Sequence, residues 1–229
     1  MRFIVLLAAM QLALISSAQT FWTENFGTGC TQGLAANGLV TANGTWTQTN
    51  IGLNDPEANE WYVSSCEAGM GVNNCGDGCL SNPALLNRTL HIGANDGWTP
   101  TDPGAAYNAG GFCGVLFCVT TDKRVESPTI NCTGYSNIQL NFLYLEGGQA
   151  STDNMTVWYF NGAVWSQLTD PAKTLTNCPG GQGRWAAIPT ITLPASANNN
   201  PNVKIGFRWA NNDDGVGSDP STAIDDITL

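Results

Sequence analysis

The stretch VKIGFRWANNDDGVGSDPSTAIDDITL, Val203 to Leu229, decides the fold. Val203, Ile205, Phe207 and Trp209 alternate with Lys204, Gly206 and Arg208, the period of a strand with one buried face. Asn211 to Pro220 is rich in Asn, Asp, Gly and Pro, which reverse a chain, so AIDDITL is expected to re-enter a sheet. On period two, Asp225 shares a face with Ile227 and Leu229, and Asp226 shares the other with Ile224 and Thr228. One carboxylate is therefore expected to be semi-buried. A charge out of water needs a cation, an arginine or several donors. That requirement points to a metal ion or to a structural knot joining the chain ends.

Working outward, short runs of Val, Ile, Phe, Tyr and Trp recur between Gly, Asn and Thr, without a heptad, a long amphipathic helix or an internal repeat. This is the pattern of an all-β, antiparallel β-sandwich. MTVWYFNGAVWSQL reads as a hairpin in which Asn161 and Gly162 supply a type I′ turn. Ile138 to Leu145, apolar on both faces, is expected to lie centrally with cover on both sides. The opening MRFIVLLAAMQLALISSAQT has one Arg, an apolar run and small residues, so residues 1–18 read as a signal peptide cut after Ala18. Residues 19–229 are expected to form a single jelly-roll domain, secreted and extracellular or at the cell surface. Nothing else in the chain is apolar for the length a membrane span needs.

Eight cysteines in an exported chain read as a disulfide set rather than metal ligands. The expected pairs are the short closures Cys75 with Cys79 and Cys113 with Cys118, then Cys132 with Cys178, and Cys30 with Cys66 by elimination. Loss of Arg2 with the leader leaves seven basic residues against eighteen acidic ones. Such a charge repels nucleic acid and anionic membranes.

The ending GSDPSTAIDDITL resembles the closing strand of MAM domains, and FWTENFG and ANEWYV resemble that family's first strand and its acidic-Trp strand. More of the chain resembles a secreted jelly-roll module of Bacteroidetes cell-surface proteins. The shared pattern runs in order through Glu24 to Gly27, Leu90 to Gly93, Gly104 to Tyr107, Ser127 to Ile130, Ile138 to Leu145, Asn161 to Trp165, Leu193 to Pro194 and Gly206 to Trp209. The resemblance implies a jelly roll whose first and last strands meet, often around a structural calcium ion. Carried onto this sequence, it gives Glu24 and Asp225 as the metal ligands. The alternative is that these carboxylates bond to backbone amides or to Arg208. Members of that group usually continue into further repeats, so the chain is expected either to be complete or to end at a domain boundary.

Catalysis has little support in the residues. His91, the single histidine, lies in TLHIG without an adjacent acid or nucleophile motif, and neither G-x-S-x-G nor H-E-x-x-H occurs. Asp213 with Asp214 and Asp225 with Asp226 are nearest neighbours, whose side chains diverge on a strand. Of the eight tryptophans, Trp61, Trp158 and Trp209 are assigned to the core because they lie in strands. Trp98, among turn residues, is either the exposed contact for a ligand or partner or a ring tucked over the sandwich edge. The expected function is a non-catalytic structural or adhesive module, a self-assembling surface or filament subunit stabilised by calcium. The alternative is a carbohydrate-binding module, free or detached from a secreted hydrolase. The corresponding partners are a protein, a second copy, or a surface glycan.

Overall fold

A computed structural model describes residues 19–67, 86–95, 102–111, 118–174 and 183–229. Two antiparallel sheets dominate. The seven-stranded sheet runs β11 (Ala186–Ala187), β8 (Gln139–Glu146), β14 (Thr222–Thr228), β6 (Thr89–Gly93), β5 (Glu60–Ser64). In it β1 (Thr23–Glu24) also pairs with β14, and β12 (Ile191–Thr192) with β8. The five-stranded sheet runs β10 (Trp165–Thr169), β9 (Asn154–Phe160), β13 (Lys204–Asn211), β7 (Thr121–Glu126), β4 (Thr47–Asn50). A small hairpin joins β2 (Val40–Thr41) to β3 (Gly44–Thr45). The all-β antiparallel architecture expected from the punctuation is present, and the first and last strands are hydrogen-bonded neighbours, Glu24 opposite Ile227.

One apolar cluster fills the space between the sheets. Trp61, Leu90, Phe142, Ile224 and Ile227 enter it from one side, and Val125, Val157, Tyr159, Ile205, Phe207 and Trp209 from the other. The alternation of β13 is thus as the sequence reads. Its buried aromatic residues bond where they must, the Trp209 indole donating to Asn211 Oδ1 at 2.9 Å. Burying a side chain of this size contributes about 3–5 kcal/mol, as judged by truncation to alanine.

Three expectations change. In β14 the register with β8 shifts between Asp225 and Thr228, and Asp226 adopts φ +50°. The extra residue breaks period two. Ile224, Ile227 and Leu229 therefore all reach the core, while Asp225 is buried on the opposite face and Asp226 is exposed. The hairpin after β9 is antiparallel as expected, but Phe160 pairs with Trp165, so its loop has four residues instead of two. Only Gly162 is left-handed there, and Asn161 Oδ1 accepts from the amides of Ala163 and Val164, each at 2.9 Å. The third change concerns the cysteines. No disulfide joins two described cysteines, so the expected Cys30–Cys66 pair is not seen, while Cys118 is disulfide-bonded. Cys132 is a buried thiol in the core cluster, pushed up to about 11 by burial, and its expected partner Cys178 lies outside the described residues.

Candidate functional site

The two sheets differ most on the faces turned away from the core. On the five-stranded sheet the alternation that buries Val157 and Tyr159 directs Thr156, Trp158 and Phe160 outward from β9. Lys204, Gly206 and Arg208 follow from β13, Asp122, Arg124 and Glu126 from β7, and Trp165 from β10, opposite Phe160. These side chains lock together. The Arg208 guanidinium forms a fork on Asp122, Nε to Oδ1 at 2.6 Å and Nη2 to Oδ2 at 2.7 Å. Arg124 donates to Glu126 Oε1 through Nη2 at 2.9 Å, and Thr49 donates to the same oxygen at 3.1 Å. Both arginines lie over the Trp158 ring, at 5.9 and 5.7 Å from its centre, and Arg124 stacks on Trp165 at 3.8 Å. Gly206 makes that stack possible. A Cβ there would stand 2.8 Å from Trp165 Cζ3 and 2.9 Å from Arg124 Cδ. Trp158, Trp165 and Phe160 each remain only half-buried. The arrangement is a rigid aromatic and hydrogen-bonding platform on strands, with its charges paired internally.

The outer face of the seven-stranded sheet is covered. Ala105 and Trp185 pack with Leu145 and Ala223 over β8 and β14, so the Tyr144–Glu146 end of β8 is buried on both sides as its composition predicts, whereas Gln139 and Asn141 keep solvent contact on the outer face. Beside them His91, fully buried, bonds through Nε2 to Asp102 Oδ1 at 2.7 Å. Asp102 also accepts from the amides of Gly33 at 3.0 Å and Gly104 at 3.2 Å. Burial alone would raise its carboxyl, but the charge and hydrogen bond of His91 hold it at about 2. Burial works against the imidazolium, yet Asp102 outweighs it and the His91 pKa is raised. Glu67 completes the group. Burial pushes it up to about 7, with His91 pulling the other way, and among the described residues its Oε2 has no partner. An acid and a histidine meet here as in a catalytic pair, but both are sealed from solvent, which suits a structural knot that holds residues 102–105 on the sheet.

At the chain ends, Glu24 accepts from the amide of Phe26 through Oε1, and from Thr41, Asn43 and the Trp46 indole through Oε2. Asp225 accepts from Asn87 at 2.7 Å and from the amide of Asp226 at 2.8 Å. Burial, then the charges of Asp226 and Glu24, push Asp225 up to about 7. The structure thus brings the two predicted ligands into one neighbourhood, held by neutral donors. Arg208 belongs to the other sheet's outer face, on Asp122, and is not their partner. Asp55, Cys118 and Asp213 also converge, but Cys118 is disulfide-bonded and its sulfur is no thiolate ligand.

Trp98 lies outside the described residues, as do Cys75, Cys79, Cys113 and Cys178. Cys113 is the partner expected for Cys118. Cys30 and Cys66 fall in one region, where Ser65 Oγ is 3.5 Å from Cys30 Sγ and Gln32 donates to Cys66 Sγ at 2.9 Å. Trp61 and Trp209 are in the core, whereas Trp158, assigned there on its strand position, is on the platform. The signal for the platform is present in the sequence as the alternation of Thr156, Trp158 and Phe160 together with that of Lys204, Gly206 and Arg208. It is masked in β9 because both faces carry large apolar residues.

No family model and no curated protein matches this chain. Among solved structures, it is similar to the K1 cleaved adhesin domain of Lys-gingipain from Porphyromonas gingivalis W83, at 14% identity and TM-score 0.45, covering 92% of this chain and 97% of that one. It is also similar to the K3 cleaved adhesin domain of the same protein, at 12% identity and TM-score 0.40, covering 92% and 98%. A structure of carbohydrate-binding modules from the β-sandwich superfamily gives 11% identity and TM-score 0.41, covering 83% and 58%. All three scores mark a loose likeness.

Proposed function

We propose that the chain is a non-catalytic extracellular binding module whose contact surface is the outer face of the five-stranded sheet. The observation that carries this reading is the contrast in access. The acid–base group His91, Asp102 and Glu67 is enclosed, while Trp158, Trp165 and Arg208 keep solvent contact on a rigid strand surface. Aromatic rings and arginine are the side chains from which recognition surfaces are built, and general acid–base chemistry requires reach to a substrate that a sealed carboxylate lacks. Export follows the leader-like residues 1–18, and among the described residues no helix is long and apolar enough to cross a membrane.

A calcium ion at the chain ends belongs to the same proposal, with Glu24 and Asp225 supplying carboxylate oxygens. Its support is the proximity of two buried carboxylates that accept hydrogen bonds from neutral donors, an arrangement that a divalent cation relieves. The ion would supply charge neutralisation and would tie the first strand to the last.

The binding reading is tested with purified residues 19–229 on a glycan array and in sedimentation velocity over a range of concentrations. Retention of a glycan or concentration-dependent association is expected, with no reducing ends released from any bound polysaccharide. A monomer that binds nothing, or one that cleaves what it binds, would end the proposal.

A further inference from the structure

We propose that the platform takes a neutral polysaccharide, with a sugar ring stacked on Trp165 and its hydroxyls bonded to the Arg208–Asp122 pair. This rests on the binding-module reading above and specifies the ligand. The charge balance of the face excludes other classes. Arg124, Arg208 and Lys204 face Asp122 and Glu126, so the patch is close to neutral in a chain of net charge −10. A polyanion would meet cations already bound to carboxylates, and a polycation would meet the arginines.

A protein partner can use rings and arginines too, but it needs them at a dry centre depleted of charged groups. Here the outward strand positions around the rings carry ion pairs with Thr47, Thr49, Thr156 and Gln167, and the exposed aliphatic residues Ile51, beside Asp122, and Val164, in the hairpin loop, stand at the margin. Hydroxyls suit the remaining groups. Arg208 spends Nε and Nη2 on Asp122, which leaves Nη1 to donate, and Asp122 carries oxygens that accept. The paired geometry is held before the ligand arrives. Trp158 is fixed by its indole bond to Thr156 at 2.8 Å, and Trp165 by Arg124 beneath it, so little side-chain freedom is lost on binding.

The test is affinity electrophoresis and calorimetry of residues 19–229 with hydroxyethyl cellulose, xylan, galactomannan and soluble β-glucan, against polygalacturonate and heparin. At least one neutral polymer is expected to bind, with Trp165→Ala weakening it by about tenfold or more, the loss typical of a truncated aromatic anchor. Trp165→Phe, which keeps a ring on the sheet, is expected to retain part of the affinity, and melting curves check that both variants fold. Binding to none of the four neutral polymers, tighter binding to an anionic one, or an unchanged affinity in Trp165→Ala would overturn the inference. If sugars fail while the chain self-associates, the binding module stands and this ligand falls. If both fail, both readings fall.

Discussion

His91, Asp102 and Glu67 on one outer face and Arg124, Arg208, Glu126 and Asp122 on the other are built from the same chemistry, ion pairs laid across strands. Their surroundings separate them. The first set is enclosed with the chain from Asp102 to Ala105, and its pKa values move far from ordinary ones. The second is roofed in part by a single ring, Trp165 over Arg124, and pairs each guanidinium with a carboxylate. A buried pair is costly to break, because removing one partner strands the other charge away from water. Arg124 and Glu126 are themselves buried beneath Trp165, but the Arg208–Asp122 fork keeps solvent contact, tolerates change and is available to a ligand. The difference assigns stability to the seven-stranded sheet and recognition to the five-stranded one.

The sharpest way to break this division is to cut each ion network. Asp102→Ala leaves His91 and Glu67 buried without their central partner, and a loss of about 3–5 kcal/mol is expected in urea unfolding at pH 7. Asp122→Ala, beside a partly exposed Arg208, is expected to cost far less. Equal losses in the two variants would remove the distinction.

Chelation comes next in size. If calcium joins Glu24 and Asp225, it binds only the folded chain and stabilises it by about 2.7 kcal/mol at a hundredfold excess over its dissociation constant. The melting temperature then falls with chelator in the wild type and not in Asp225→Asn. Asp226→Asn is the control, since Asp226 is exposed and asparagine tolerates its positive φ. Curves identical with chelator and with excess calcium would leave Asp225 as an acceptor for Asn87 and its neighbouring amide.

A smaller effect is expected from pH. Glu67 and Glu146 are both pushed by burial to about 7 in the folded chain, above the ordinary carboxyl range. Between that range and pH 7 the folded chain holds protons the unfolded chain has released, so stability falls as pH rises. The raised His91 acts in the same direction, its contribution being lost as pH climbs through the folded value. Asp102, held at about 2, loses its contribution only when pH drops below the ordinary carboxyl range. The melting temperature should therefore be highest near pH 5 and decline by several degrees toward pH 8. A flat or rising profile over that interval would contradict the sealed state of the Glu67 group.

How much of this was legible follows from what period two can and cannot see. β13 reads directly because its outward residues are Lys, Gly and Arg, and the closing of the first strand on the last is visible in the resemblance of both ends to one family. The bulge at Asp226 is invisible, since one inserted residue reverses the facing of everything before it without altering composition. Trp158 was misplaced for a related reason. In Met155–Phe160 both faces are bulky, and only pairing with β13 shows that Gly206 and Arg208 lie beside it. The His91 group could not be foreseen, because Glu67, His91 and Asp102 come from separate segments whose meeting depends on loop packing.

The smallest expected effect is the one that best sharpens the comparison, because it sets two tryptophans of the same sheet against each other. Trp209 is fully buried between the sheets, touches Tyr107 edge-on with ring centres 5.1 Å apart, and satisfies its indole on Asn211. Its truncation to alanine opens a cavity that close-packed neighbours fill only in part, at about 3–5 kcal/mol. Trp165 is only half-buried at the sheet edge, and its removal forfeits the stack on Arg124 and a partial burial. A cation–π contact near the surface is worth about 0.5–1 kcal/mol, and Arg124 keeps Glu126 when the ring is gone. Trp165→Ala should therefore lie within about 1 kcal/mol of the wild type in urea unfolding, while losing the sugar affinity proposed for it. A loss as large as that of Trp209→Ala would mean that the ring serves as a lid on the sheet, and the platform would then be part of the scaffold rather than the surface that binds.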